Sequence, residues 1–334
     1  MSARCAALLT LLSLYLLAGP ASAALYPQNP LRDGDSIYVS QQGVYRFNHH
    51  AADPLWISLQ GVETFAPVAY RDLLLVGSTQ GLYALRRSDG SVVWHIEKQH
   101  TLFTPTLAGR AYAGSVHGEL YAIALDDGAI DWRRTFDGWI YSPAIDDHAK
   151  RLWTGGQQHA IYALASLDGK LLREIATTQE SVFGAVDLGA DQAAFNLFDG
   201  SSVVVGFDSQ QIDAILDGNS QPTALTALGG QLYRSHSDGS LAAFARSSFE
   251  ISWRRPLAAQ DLIMHPSLPG QLLLGDRNRK LFLLDPARGN PLCELESDRQ
   301  WLLPIQVETG RIVSFRRSMQ PPGLGLVKSS ATCI

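Results

Sequence analysis

The chain has 334 residues, 46% of them apolar and 18% charged, with a formal net charge of −5. That is enough apolar material for a full core and too little charge for a disordered or coiled-coil chain. The acidic balance leaves no basic stripe of the kind a nucleic-acid footprint needs. Short basic pairs such as Arg133-Arg134, Arg254-Arg255 and Arg316-Arg317 read as solvated strand edges, where positive charge discourages edge-to-edge pairing.

The chain begins with a short basic region at Arg4, an apolar run from Ala6 to Ala18, and the triplet Ala21-Ser22-Ala23. These are the three parts of a cleaved signal peptide. The run is too short to span a bilayer, and Gly19-Pro20 ends it. The expected organisation is therefore a signal peptide over residues 1–23 and a single domain over residues 24–334. No later stretch is long and apolar enough for a transmembrane helix, so none is expected in the mature chain. A periplasmic or secreted location follows. No cysteine stands at the cleavage point, which argues against a lipobox and lipidation. Cleavage removes Cys5 and leaves Cys293 and Cys333. An even count in an oxidising compartment favours one disulfide, Cys293–Cys333, over two buried thiols.

The rest of the chain is organised by a repeat. Phe65-Ala-Pro67, Phe103-Thr-Pro105 and Tyr141-Ser-Pro143 recur 38 residues apart. Looser copies follow at Phe183-Gly-Ala185, Pro222, Met264-His-Pro266 and Leu302-Leu-Pro304. Within a copy, two short apolar runs flank a polar Gly-containing turn, as in Leu73–Val76 and Leu82–Leu85. An Asp-Gly pair (Asp89-Gly90, Asp127-Gly128, Asp168-Gly169) then precedes another run. Asp-Gly tolerates positive φ and closes hairpins, and the runs between are of strand length. Four strands per unit make a propeller blade, which hides its two faces only by stacking on neighbours.

Six full units fall at 64–98, 102–136, 140–178, 182–218, 221–258 and 262–298. The N-terminal strands Ser36–Val39, Gly43–Phe47 and Leu55–Ser58 lack a first strand, and Leu303–Val307 looks like it. The expected fold is thus an all-β propeller of four-stranded antiparallel blades. Seven blades, closed by joining N- and C-terminal strands, is the favoured count. Arg311–Phe315 looks like a further second strand and leaves eight open. The fourth and fifth units are marked as divergent: Phe195-Asn-Leu-Phe-Asp-Gly200 keeps a hairpin turn, but no tryptophan follows it.

The pattern Ala84-Leu-x-x-x-Asp-Gly-x-x-x-Trp94, repeated as Ala122-Ile-Ala-Leu-x-Asp-Gly-x-x-x-Trp132, resembles the repeat of the pyrroloquinoline-quinone (PQQ)-type propeller family. Phe244–Trp253 and Leu284-Asp-Pro-x-x-Gly289 are weaker copies, the latter with Cys293 in the tryptophan's place. The resemblance spans about Asp35 to Phe315. It implies two classes of function. One is the quinoprotein dehydrogenases, which are longer and carry a cofactor, a calcium ion and usually a vicinal disulfide. The other is non-enzymatic scaffolds, such as the propeller component of the outer-membrane β-barrel assembly machinery. The repeat is also similar to the lumenal sensor of the unfolded-protein-response kinases.

The residues favour the scaffold. There is no G-x-S-x-G, H-E-x-x-H, Walker or C-x-x-C motif, no adjacent cysteines and no evident calcium cluster. No catalytic residue, cofactor or metal is therefore expected. His117, His159 and His236 fall between second and third strands, and His100 and His265 at or near the entry to first strands, so one loop face collects several histidines. A metal site there would need ligands from separate blades to converge. The same loops carry Glu63, Asp137, Glu180, Asp261 and Asp298. They also carry Trp139 and Trp301, which lie outside the repeat's docking position and are the candidate partner contacts. The expected function is a periplasmic protein-binding scaffold, an accessory of an envelope assembly. The alternative is a quinone- or metal-dependent enzyme, or a small-ligand binder, using the funnel.

Overall fold

The computed structural model describes residues 31–332 apart from short connecting stretches, the longest being 258–262. The expected signal peptide and Cys333 lie outside the described residues. No helix occurs among those that are described.

The strands form eight antiparallel sheets, each ordered as in the sequence. The first holds β1 (Leu31–Asp33), β2 (Ser36–Ser40), β3 (Gln42–Asn48) and β4 (Pro54–Glu63). The second holds β5 (Val68–Tyr70), β6 (Leu73–Ser78), β7 (Gly81–Arg86) and β8 (Val92–Glu97). The third holds β9 (Thr106–Leu107), β10 (Ala111–Ala113), β11 (Glu119–Ile123) and β12 (Ile130–Thr135). The fourth holds β13 (Ala144–Asp146), β14 (Arg151–Gly155), β15 (Ala160–Ala165) and β16 (Leu171–Ala176). The fifth holds β17 (Ser181–Gly189), β18 (Gln192–Leu197), β19 (Ser202–Gly206) and β20 (Ile212–Leu216). The sixth holds β21 (Pro222–Leu228), β22 (Gln231–His236), β23 (Ser240–Ala245) and β24 (Ile251–Pro256). The seventh holds β25 (Ile263–Leu268), β26 (Gln271–Gly275), β27 (Lys280–Leu284) and β28 (Pro291–Glu296). The eighth has three strands, β29 (Trp301–Glu308), β30 (Arg311–Gln320) and β31 (Gly323–Thr332).

The expected composite seventh blade does not form among the described residues. The first sheet has its own first strand, β1, and β29 pairs with β30 instead of joining it. The short β1, which contains the polar Arg32 and Asp33, carries no apolar run that would mark it in the sequence.

Stacking explains the strand compositions. β6 is buried at all six positions and β7 at five of six, whereas the outermost β8 is exposed at three of six. A strand covered on both faces takes a continuous apolar run. Alternate residues of β6 serve opposite neighbours. Leu74 and Val76 pack with Tyr38, Val44 and Trp56 of the first sheet. Leu73 and Leu75 pack with Ala111, Ala113 and Tyr121 of the third. Each apolar cluster found belongs to two consecutive sheets, so the core is a series of layers between blades.

Four tryptophans lock these layers. Trp56, Trp94, Trp132 and Trp253 are each the third residue of a fourth strand. Each indole N–H donates to a backbone carbonyl just past the third strand of the next sheet. The acceptors are Arg87 (3.0 Å), Leu125 (3.2 Å), Ser166 (3.1 Å) and Pro286 (2.9 Å). The indole lies on the turn glycine of that sheet. A Cβ on Gly128, at φ +75°, would stand 2.7 Å from Trp94 Cε3. The Asp before the glycine holds the turn, as Asp89 Oδ1 accepts from the Ser91 amide (2.9 Å) and hydroxyl (2.7 Å). Those bonds hold the Asp89 carboxyl below its ordinary range. The turns are longer than two-residue hairpins. Arg86 N donates to Ser91 O, and Gly90 N to Arg86 O, enclosing Arg87–Gly90.

The diverged junctions find other bulk. Phe207, past β19, sits between the Arg151 guanidinium (4.0 Å) and that of Arg173 (4.8 Å). Arg151 is buried and pairs with Asp146 at 2.9 Å and with Asp191. At the next junction the docking place holds Ala214, and Phe249 of the receiving turn packs into the same cluster. The aromatic ring has moved from the donating strand to the receiving turn.

Candidate partner-contact face

Loops from second to third strands, and from each fourth strand into the next first strand, share one face of the disk. The Phe-x-Pro repeat lies there and forms an aromatic chain. Phe65 and Phe103 have ring centroids 6.3 Å apart, and Phe103 and Tyr141 5.2 Å. The amides of Phe65, Phe103 and Tyr141 donate to the carbonyls of Gly77, Gly114 and Gly155, each within one residue of the end of a second strand. A Cβ on Gly77 would come within 2.5 Å of the Phe103 carbonyl, so only glycine admits the neighbouring loop.

Trp139 is half-buried in the loop 136–143 between β12 and β13. Two glutamines of the fourth sheet fasten that loop by its backbone. Gln157 Oε1 accepts from Trp139 N at 3.1 Å. Gln158 Nε2 donates to the carbonyls of Asp137 (2.7 Å), Gly138 (3.1 Å) and Trp139 (2.8 Å). The indole is therefore presented on a rigid loop, which lowers the ordering cost of a contact. Beside it, Asp137 and His117 are exposed. His159, in a left-handed conformation at φ 53°, has Nε2 3.9 Å from Glu180. Phe198 is 45% exposed in the turn after β18, and its amide donates to the Glu180 carbonyl at 2.9 Å. Sequence reasoning missed Phe198 and the glutamine pair. The signal was an aromatic at a turn position where other sheets carry Thr79, Val116 or Ser237.

The histidines do not assemble. His236 is fully buried at the end of β22, where its Nε2 accepts from Arg234 Nε at 3.0 Å. His265 lies within β25, not in a loop, and His100 lies outside the described residues, as do Asp261 and Asp298. Among the described residues no three His, Cys, Asp or Glu stand close enough to hold a metal. Trp301 opens β29 opposite Arg316, four sheets on from the sheet that Trp139 precedes, so the two tryptophans belong to separate parts of the repeat. Cys293 is the third residue of β28, opposite Leu283.

Glu63, at the end of β4, is half-buried, and burial raises its pKa. A raised folded value favours the neutral acid. Its contribution is present at low pH and is lost as pH rises through the folded value. Glu63→Gln is therefore expected to be more stable than the parent at pH 8 and equal to it near pH 4. Urea unfolding at both values measures this.

The sequence of residues 97–294, more than half of the chain, matches the family described as outer membrane protein assembly factor BamB. The chain belongs to this family. Among solved structures, BamB from Moraxella catarrhalis superposes with a TM-score of 0.67 at 14% identity, over 92% of this chain and 97% of that one. A computationally designed protein, Ika8, superposes with a TM-score of 0.71 at 11% identity, over 90% and 96%. At such identities the likeness establishes the propeller fold. A search of curated proteins by sequence finds no match.

Proposed function

We propose that this BamB-family chain is a non-enzymatic, periplasmic, protein-binding scaffold serving an assembly of the outer envelope. The observation that carries the reading is the Trp139 loop, a half-buried indole whose backbone is held by four side-chain hydrogen bonds from Gln157 and Gln158. Aromatic anchors on rigid supports are where binding energy concentrates. The family description, an outer-membrane assembly factor, supports an envelope location and protein partners. Trp301 is proposed as a second contact.

Crosslinking capture with tagged mature protein from an envelope fraction tests this. One dominant protein partner is expected. Trp139→Ala is expected to weaken it by about 2 kcal/mol or more, roughly 30-fold, with unchanged thermal unfolding. Loss of no affinity in Trp139→Ala or Trp301→Ala would remove these residues from the interface. Absence of any partner, together with saturable quinone or metal binding, would overturn the scaffold itself.

A further inference from the structure

A cleft of about 330 Å³ lies between the first and second sheets, lined by Tyr38, Arg46, Asp72, Arg86, Arg87 and Ser88. Asp72 belongs to the turn between β5 and β6, and Arg87 and Ser88 to the turn after β7. These turns share the face of the disk opposite the Trp139 loop.

The guanidinium groups of the cleft repel one another, and their partners differ. Arg87 is satisfied. Its Nη2 pairs with the Asp33 carboxylate, its Nε donates to Tyr38 Oη at 3.2 Å, and its Nη1 donates to the Arg71 carbonyl at 2.6 Å. Arg86 is held loosely, with Nη1 3.6 Å from Asp72 Oδ2 and both side chains in solvent. Arg46 meets no carboxylate among the described residues. Its Nε donates to Ser36 Oγ at 3.0 Å and its Nη1 to the Ser88 carbonyl at 3.1 Å, which leaves Nη2 to spare.

The repeat shows that packing does not require this charge. Arg46 stands opposite Trp56 on the adjacent strand. The residues opposite Trp94, Trp132 and Trp253 are Ala84, Ala122 and Ala243. With alanine there, each of those indoles still reaches its carbonyl, as Trp56 does beside Arg46. The first sheet therefore adds a guanidinium without gaining a dock.

We propose that this cleft binds a small phosphorylated sugar, its phosphate on Arg46 and Arg86 and a sugar hydroxyl on Asp72. Guanidinium forks match phosphate oxygens, and the pairing uses N–H groups that the fold leaves over. The volume is more than a bare phosphate fills and lies at the lower end for organic ligands. The Asp72 carboxylate accepts from hydroxyl groups and repels a second anion, so the rest of the ligand is neutral and hydroxylated. The site goes beyond the scaffold reading and lies on the other face from its proposed anchor, so either can fail without the other.

Isothermal titration of the protein with glucose 1-phosphate, inorganic phosphate and glucose tests the proposal. The ester should bind saturably at one site, inorganic phosphate at least roughly tenfold more weakly, and glucose not measurably. Arg46→Ala installs the residue that the repeat uses at this place, so thermal unfolding should not change while affinity for the ester falls about tenfold or more. Arg46→Lys should lie between, because it keeps the charge without the fork. Arg86→Ala, a change at an exposed side chain, should also weaken binding, and Arg255→Ala, on the sixth sheet, should not. Vesicles bearing a phosphorylated glucosamine lipid should compete with the ester where the sugar is a lipid head group, and should not where it is a free solute. No saturable binding of the ester, equal affinity for inorganic phosphate, or full affinity in Arg46→Ala and Arg86→Ala would overturn the assignment.

Discussion

Gly128→Val is expected to lower the stability of the propeller by about 2–5 kcal/mol, a large share of what a domain has. Two costs add. The residue sits at φ +75°, a conformation that a β-branched side chain adopts at a cost of roughly 1–2 kcal/mol. The new side chain also displaces Trp94, since even a Cβ would stand 2.7 Å from its ring. That breaks the indole bond to Leu125 O and loosens the layer between the second and third sheets. Gly109→Val is the control. Gly109 has a similar φ of +67°, but a Cβ there meets nothing within 4 Å. It should lose the backbone cost alone. Chemical denaturation of both, with Trp94 emission as a local probe, separates strain from docking. Equal losses in the two variants would show that the indole contributes nothing beyond its area.

The parts of this fold that were legible in the sequence are those where one residue has one job. Asp-Gly followed by tryptophan marks a capped turn, a left-handed glycine and the indole that crosses to the next blade. All three recur in fixed order. Leu303–Val307 pairs with β30 and not with the N-terminal strands, whose own first strand escaped notice because edge strands carry little pattern: Leu31-Arg32-Asp33 forms β1 with three residues and no apolar run. The strands β16 and β20 lack the tryptophan, and the sequence left a functional face and simple tolerance equally open. At both junctions the structure shows compensation, with Phe207 and Phe249 supplying ring bulk from the opposite side. Their place in receiving turns gave no periodic signal. His236 looked like a polar loop residue because turn position was visible and burial was not. Its partner Arg234 is two residues away in the chain, but their shared burial depends on the neighbouring sheet, as Arg234 reaches Ser202 Oγ at 3.1 Å. Trp139 was legible as lying outside the docking pattern, while the glutamines that hold its loop come from the following sheet.

The docking pattern leads to the second large effect. Cys293 is the third residue of β28, the place that holds Trp56, Trp94, Trp132 and Trp253 in other fourth strands. Each of those indoles bonds to a residue one or two places past the third strand of the next sheet. For the seventh sheet that next third strand is β31, which ends at Thr332, and the residue that follows in the sequence is Cys333. A Cys293–Cys333 disulfide would thus stand where the repeat otherwise places an indole, fastening the eighth sheet to the seventh. A half-cystine reaches less far than tryptophan, and a bridge needs Cα atoms within about 7 Å, so the bond should draw the end of β31 toward β28. The mature protein from an oxidising compartment is expected to carry this bridge, formed by exchange with a protein disulfide that leaves as a dithiol. Closing a loop of roughly 40 residues constrains the unfolded chain by about 4 kcal/mol on the chain-entropy model. Cys293→Ser should lose a comparable amount, and reduction of the parent should match it. Cys293→Trp paired with Cys333→Gly should recover part of the loss under reducing conditions, because residue 333 stands at the acceptor-carbonyl place to which the indoles donate at four other junctions. Intact mass before and after alkylation, with denaturation of each variant, decides the matter. Two free thiols in the oxidised protein would refute the bridge, and failure of the tryptophan–glycine pair to recover stability would refute its equivalence to the dock.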